Sequence, residues 1–215
     1  MEYITSSDFH FKDTAVALGK FEGIHRGHQL LMDEVKKQEL HGLRSVVFTF
    51  DRPTRLTLTG DTEYKQIYTK KERREILKKR GIDILIEHPF TKEFAALTPD
   101  RFIREVLVEK VGAKVIVVGT DFHFGKNRSG SITDLEKLEE ECGYHLIVVE
   151  KLQLNGKDIS STRIRASLEK GAMEEAKALL GRNYSVSGEI LHGNALGRTI
   201  QVPTINQQVP SFKLL

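Results

Sequence analysis

Short apolar, β-branched runs alternate with longer amphipathic stretches along the first 150 residues. Residues 15–18, 45–50, 82–86, 114–118 and 145–149 read as buried strands. Helices with readable starts lie between them. Thr69-Lys-Lys-Glu72 is a capping box ahead of residues 73–79, and Thr98 with Pro99 at the first helical position opens 100–110. Thr133-Asp-Leu-Glu136 opens a third helix. This alternation predicts an α/β fold, a parallel sheet covered by helices on both faces. The charge-dense stretch 70–75 is expected to be a solvated helix face.

After residue 150 the pattern changes. Residues 161–170 and 173–180 read as two short helices, closed by Gly171 and Gly181. Alternating β residues at 184–190, a glycine-rich turn and Pro203-Thr-Ile-Asn206 then read as the opening of a separate β-rich module. That stretch is too short to bury a core of its own.

Composition narrows the partners. The chain has 215 residues, 39% of them hydrophobic, and a net charge of +3 from 33 basic and 30 acidic side chains. This balance is too mild to argue for nucleic acid and suits small anionic ligands. The single cysteine, Cys142, excludes an internal disulfide and points to a reducing cytoplasm. No signal peptide or membrane span is expected.

The densest chemistry follows the first strong strand. Gly19-Lys-Phe-Glu-Gly-Ile-His-Arg-Gly-His28 turns on Gly19 and Gly23 and delivers His25 and His28 to a helix start at about residue 27. Unpaired amides and the positive end of a helix dipole favour phosphate there. Zinc ligation by the two histidines would need a third ligand at matching spacing, and none is evident. The turn also lacks the Gly-x-Gly-x-x-Gly fingerprint of a dehydrogenase.

Two further segments have the same character. Val117 to Gly130 leaves a strand at the sheet's carboxyl edge. There Asp121 can accept from a ribose hydroxyl or base amine, and Phe122 and Phe124 either stack on an aromatic ligand or plug the core. In Ile159-Ser-Ser-Thr-Arg-Ile-Arg165, Ser160, Ser161 and Thr162 at a helix start, with Arg163 or Arg165, make a second anion cradle.

In this order, the three motifs resemble the bacterial bifunctional riboflavin kinase/FAD synthetase family. Gly19 to His28 is similar to its G-x-F-D-G-x-H-x-G-H, and Gly193 to Asn206 looks like the start of its riboflavin kinase module. The resemblance implies a Rossmann-like nucleotidyltransferase domain over 1–182, followed at 183–215 by the truncated start of a β-barrel kinase module. It implies FMN adenylyltransferase activity, making FAD and pyrophosphate from FMN and ATP with Mg²⁺. In those terms His28, His25 and Arg163 are catalytic. ATP falls to Gly19, Phe21, Gly23, His25, His28, Asp121, Ser160, Ser161, Thr162 and Arg163, and flavin to Phe50, Pro53, Phe122 and Phe124. Thr204 and Asn206 are the kinase remnant.

The chain departs from the family pattern in three places. Glu22 stands for the usual aspartate, Phe50-Asp-Arg-Pro-Thr-Arg55 for F-E-P-H-P, and Gln201-Val202 for Gly-Phe. The family's catalytic kinase glutamate lies farther along a barrel that these residues lack, so no riboflavin kinase activity is expected of them. Two alternatives stay open: a nucleotidyltransferase with another phosphate acceptor, or a non-catalytic flavin or nucleotide sensor.

Overall fold

The computed structural model describes residues 1–54, 57, 60, 61, 63–192, 201, 202 and 204–215. Arg55 and the expected kinase opening at 193–200 lie outside the described residues, as does Pro203. Six strands form one sheet: β1 (Glu2–Ile4), β2 (Thr14–Leu18), β3 (Arg44–Phe50), β4 (Ile84–His88), β5 (Ala113–Gly119) and β6 (His145–Val149). Their order is β1-β4-β3-β2-β5-β6, and every pairing is parallel. The predicted parallel α/β sheet is therefore present. The edge strand β1 was not legible in the polar N-terminal sequence, and the strand expected at 82–86 is shifted to Ile84–His88.

Period-two alternation divides the strands between two cores. Val16, Leu18, Val46, Phe48, Ile84, Ile86, Ile116 and Val118 face one way. On that side they meet Phe102, Ile103, Val106 and Leu107 of the helix spanning Pro99–Arg101 and Phe102–Lys110, and Leu135 of Ile132–Cys142. Ala15, Ala17, Val47, Leu85, Val115 and Val117 face the other way. They meet Leu31, Met32 and Val35 of α1 (Arg26–Lys37) and Leu77 of α2 (Lys70–Lys79). Each fully buried Val, Leu, Ile, Phe or Met among them contributes roughly 1.5–3 kcal/mol.

Thr69 and Glu72 form the expected capping box, and Thr98 caps the helix that Pro99 opens. From Phe102 that helix widens into π geometry, which the sequence does not announce. The third helix starts two residues earlier than expected, because Ser131 and Asp134 form its capping box rather than Thr133 and Glu136. The stretch 70–75 is not simply a solvated face. Glu72 is buried against Lys213, and Arg73 and Arg74 both pair with the fully buried Glu87.

Beyond the sheet, the hairpin β7 (Gln153–Leu154) and β8 (Lys157–Asp158) leads into α3 (Ser161–Glu169) and α4 (Met173–Leu180). Among the described residues of the β-rich tail, β9 (Glu189–Leu191) pairs antiparallel with β10 (Asn206–Gln208). Part of the tail joins the main body instead of standing apart. Leu214 is buried with Ile67, Tyr68, Ile164, Leu168, Leu179 and Leu180 in a third core, against which Tyr184 packs.

Candidate active site

Strand β2 is flanked by β3 on one side and β5 on the other, so the chain's winding reverses beside it. In open α/β sheets the crevice at such a switch point, outside the strands' carboxyl ends, takes the ligand. The glycine turn follows β2 and the Asp121 loop follows β5, so two of the three motifs meet there because of strand order alone.

The turn is held from behind. Thr49 Oγ1 donates to Lys20 O at 3.0 Å, and Arg182 donates to Gly23 O and Ile24 O, both at 2.8 Å. Gln29 Nε2 adds a bond to Ile24 O at 3.0 Å. Protein donors thus engage the turn's carbonyls, whose oxygens would otherwise repel phosphate. The unusual backbone lies not at Gly19 and Gly23 but at Phe21 and Ile24, with φ of +46° and +42°. Both side chains are fully buried, and this packing over-determines the left-handed conformation. The two glycines serve close approach: a Cβ on Gly19 would sit 3.0 Å from the Phe21 ring, and one on Gly23 3.3 Å from Ile164 Cδ1.

His25 caps α1, its Nδ1 accepting the His28 amide at 3.3 Å. That bond leaves Nε2 to carry the proton of the neutral ring. The imidazoles of His25 and His28 stack, centroids 3.6 Å apart, and Phe21 meets His28 edge-on at 5.1 Å. Burial, with Arg182 beside it, lowers the His25 pKa to about 4 against the weaker pull of Asp121. Burial, His25 and Arg182 hold His28 well below the ordinary range. Both rings are therefore neutral hydrogen-bonding groups at neutral pH. Among the described residues the buried Nδ1 of His28 has no partner, the kind of orphaned polar atom a ligand satisfies.

The third motif closes onto the first. Ser160 caps α3 by accepting the Arg163 amide at 3.2 Å. Ser161 Oγ lies 3.6 Å from where a Gly23 Cβ would stand. Gly23 therefore admits a second helix N-terminus to the turn, with Ser161 half-buried and Thr162 exposed beside it. Arg163 does not join them. Its guanidinium bonds Glu175 at 2.8 Å and the carbonyls of Leu154 and Lys157 at 2.9 and 3.1 Å, tying α3 to α4 and the β7–β8 hairpin. The expected catalytic charge of Arg163 is thus engaged in scaffolding. Arg182, which sequence reasoning missed, is the guanidinium on the turn's Gly23 and Ile24 carbonyls; its only sequence signal was its place just after the Gly181 helix stop.

The remaining expected site residues also divide. Asp121 is exposed, 3.2 Å from Lys151 Nζ. Phe124 is a core residue, 7% exposed and 5.4 Å from the Phe102 ring, so it is not a free ligand wall. Phe122 stacks on Phe124 and stays half-buried. Pro53 lines a cleft of about 700 Å³ together with Arg52, Lys70, Lys71, Phe90 and Phe212. Phe50 and Pro53 also line a small cavity of about 70 Å³ that reaches Lys20 and Glu22 of the turn. Thr204 and Asn206 are exposed, the latter in β10.

The FAD synthetase family model matches residues 8–163, which include the glycine turn and most of the Ile159–Arg165 motif. The chain belongs to the FAD synthetase family. Residues 180–215 match the riboflavin kinase family. Among its relatives, the bifunctional riboflavin kinase/FMN adenylyltransferase of Listeria monocytogenes is 34% identical over 96% of this chain and 66% of its own length. The enzyme of the same name from Escherichia coli K12 is 34% identical over 89% of this chain and 61% of its own. The chain thus spans somewhat under two thirds of these relatives. A crystal structure described as a macrolide-efflux protein from Streptococcus pneumoniae superposes with a TM-score of 0.85, at 31% identity, over 97% of this chain and 69% of its own. Among the described residues, no helix is long and apolar enough to cross a membrane.

Proposed function

We propose that this chain is an FMN adenylyltransferase, making FAD and pyrophosphate from FMN and ATP. The observation that carries the proposal is the meeting of the Gly23 turn with Ser161 beside two stacked, neutral histidines. An FMN phosphate is largely dianionic near neutrality, its second pKa being about 6, so no strong base is needed. One of its oxygens attacks the α-phosphorus of ATP, and the bond to the pyrophosphate oxygen breaks. His25 and His28 donate hydrogen bonds to the α-phosphate as charge develops. Ser160, Ser161, Thr162 and the start of α3 hold the departing pyrophosphate, and Asp121 meets the ribose or adenine. Arg182 keeps the turn in place.

Mg²⁺ would enter with the nucleotide, since it is held largely by substrate phosphates and water with one or two carboxylates. The cleft beside Pro53 suits the acceptor: Phe90 offers a ring, and Arg52, Lys70 and Lys71 favour an anion. Under this proposal residues 1–182 perform adenylyl transfer in the cytoplasm, and 183–215 belong to a kinase module. The names of the Listeria and Escherichia relatives support the assignment. Chromatography of the products from FMN plus MgATP, and separately from riboflavin plus MgATP, tests it. FAD is expected from FMN and no product from riboflavin; a folded protein making no FAD from FMN overturns it.

A further inference from the structure

The 700 Å³ cleft has one wall that does not come from the nucleotidyltransferase sequence. Phe212 lines it together with Pro53 and Phe90, yet lies within the stretch that matches the riboflavin kinase family. Its backbone is fixed on both sides. Gln66 N–H donates to Phe212 O at 2.6 Å, and Leu214 N–H donates to Gln66 O at 2.8 Å. Lys65 Nζ reaches Ser211 O at 2.6 Å.

Lys213 is the deeper anchor. Its buried ammonium donates to Ile67 O at 2.6 Å and to Glu72 Oε2 at 2.9 Å, and lies over the rings of Tyr68 and Tyr184. Tyr184 OH donates to Ile67 O at 3.0 Å. A pinned backbone thus carries an aromatic residue that is 42% exposed and lines the cleft. Packing alone does not account for an aromatic held so firmly and left so open. A fixed ring offers a planar ligand contact area at little entropic cost.

We propose that Phe212 is an acceptor-binding residue, a wall of the cleft that takes a planar aromatic group carrying a phosphate monoester. The inference rests on the FMN adenylyltransferase assignment and extends it, because it makes acceptor affinity depend on the kinase-family segment. The test compares wild type, Phe212→Ala and Phe212→Tyr in two measurements: FMN titration by flavin fluorescence without ATP, and steady-state FAD formation with FMN and ATP varied separately.

Phe212→Ala is expected to weaken FMN binding and raise KM for FMN about tenfold, the worth of one aromatic contact. The kcat and the KM for ATP should stay within about twofold, and Phe212→Tyr should restore FMN affinity. Unchanged FMN affinity in Phe212→Ala overturns the inference, as does an equal rise in KM for ATP. Wild type that binds FMN but forms no FAD overturns only the adenylyltransferase assignment, and the titration still decides Phe212. Wild type that does not bind FMN overturns both.

Discussion

Arg165 donates to the carboxylate of Glu22 across 143 positions of sequence, fastening the glycine turn to the helix that begins at Ser161. The other carboxylate oxygen accepts from Tyr64 OH at 2.7 Å, and the Arg165 guanidinium lies 4.4 Å over the Tyr64 ring. Burial and the Glu22 bond push the Tyr64 pKa up to about 12, so the phenol remains a donor throughout the neutral range. Glu22, where the family usually has aspartate, therefore holds two halves of the site in register.

Glu22→Gln keeps the shape and removes the charge from a pair that is about four-fifths buried on both sides. It is expected to cost about 1–3 kcal/mol, because the charge-assisted bond is lost and Arg165 keeps its desolvation penalty. Urea unfolding measures this. Arg165→Lys should not be silent either, since an ammonium cannot bridge Glu22, Lys65 O and the Tyr64 ring as a planar guanidinium does.

Stability should fall as pH drops from about 6.5 to 4. Above 6.5 His25 is neutral in both the folded and unfolded chain and adds no slope. Below 6.5 the unfolded imidazole takes a proton, while the folded one resists until about 4. The difference is worth about 3 kcal/mol. In His25→Asn, which keeps a helix-capping acceptor, the drop in Tm between pH 7 and 5 should shrink. His28 and His88, both also lowered by burial, will retain part of it. An undiminished drop counts against a buried neutral His25.

The two aromatics after β5 should separate cleanly. Phe124→Ala removes a core side chain and is expected to cost about 3–5 kcal/mol. Phe122→Ala, at a half-buried ring, should cost clearly less. Comparing their urea midpoints checks that Phe124 belongs to the core.

His28→Ala should abolish FAD formation while FMN binding persists, since the acceptor cleft is lined by other residues. Turnover assays alongside FMN titration check this. Retained turnover removes His28 from the mechanism.

Much of the site was legible because its signals are local. A buried strand, two glycines and two histidines three apart specify a tight turn into a helix within a few residues, and the hydroxyl run 160–162 stands at a helix start as expected. Strand periodicity likewise announced a parallel sheet with two covered faces.

What the sequence could not decide is where long side chains end. Arg163 and Arg182 look alike in sequence. The first is drawn to Glu175 and the β7–β8 carbonyls, and the second to the carbonyls of the glycine turn. Phe122 and Phe124 differ only in which side of the chain meets Phe102, and Lys213 finds Glu72 only when the tail folds back. The sequence by itself determined five of the six strands, the turn and the caps at Thr69 and Thr98, which depend on neighbours a few residues apart. The tertiary structure alone decided which cations and rings face the site, because burial and long-range pairing set their direction.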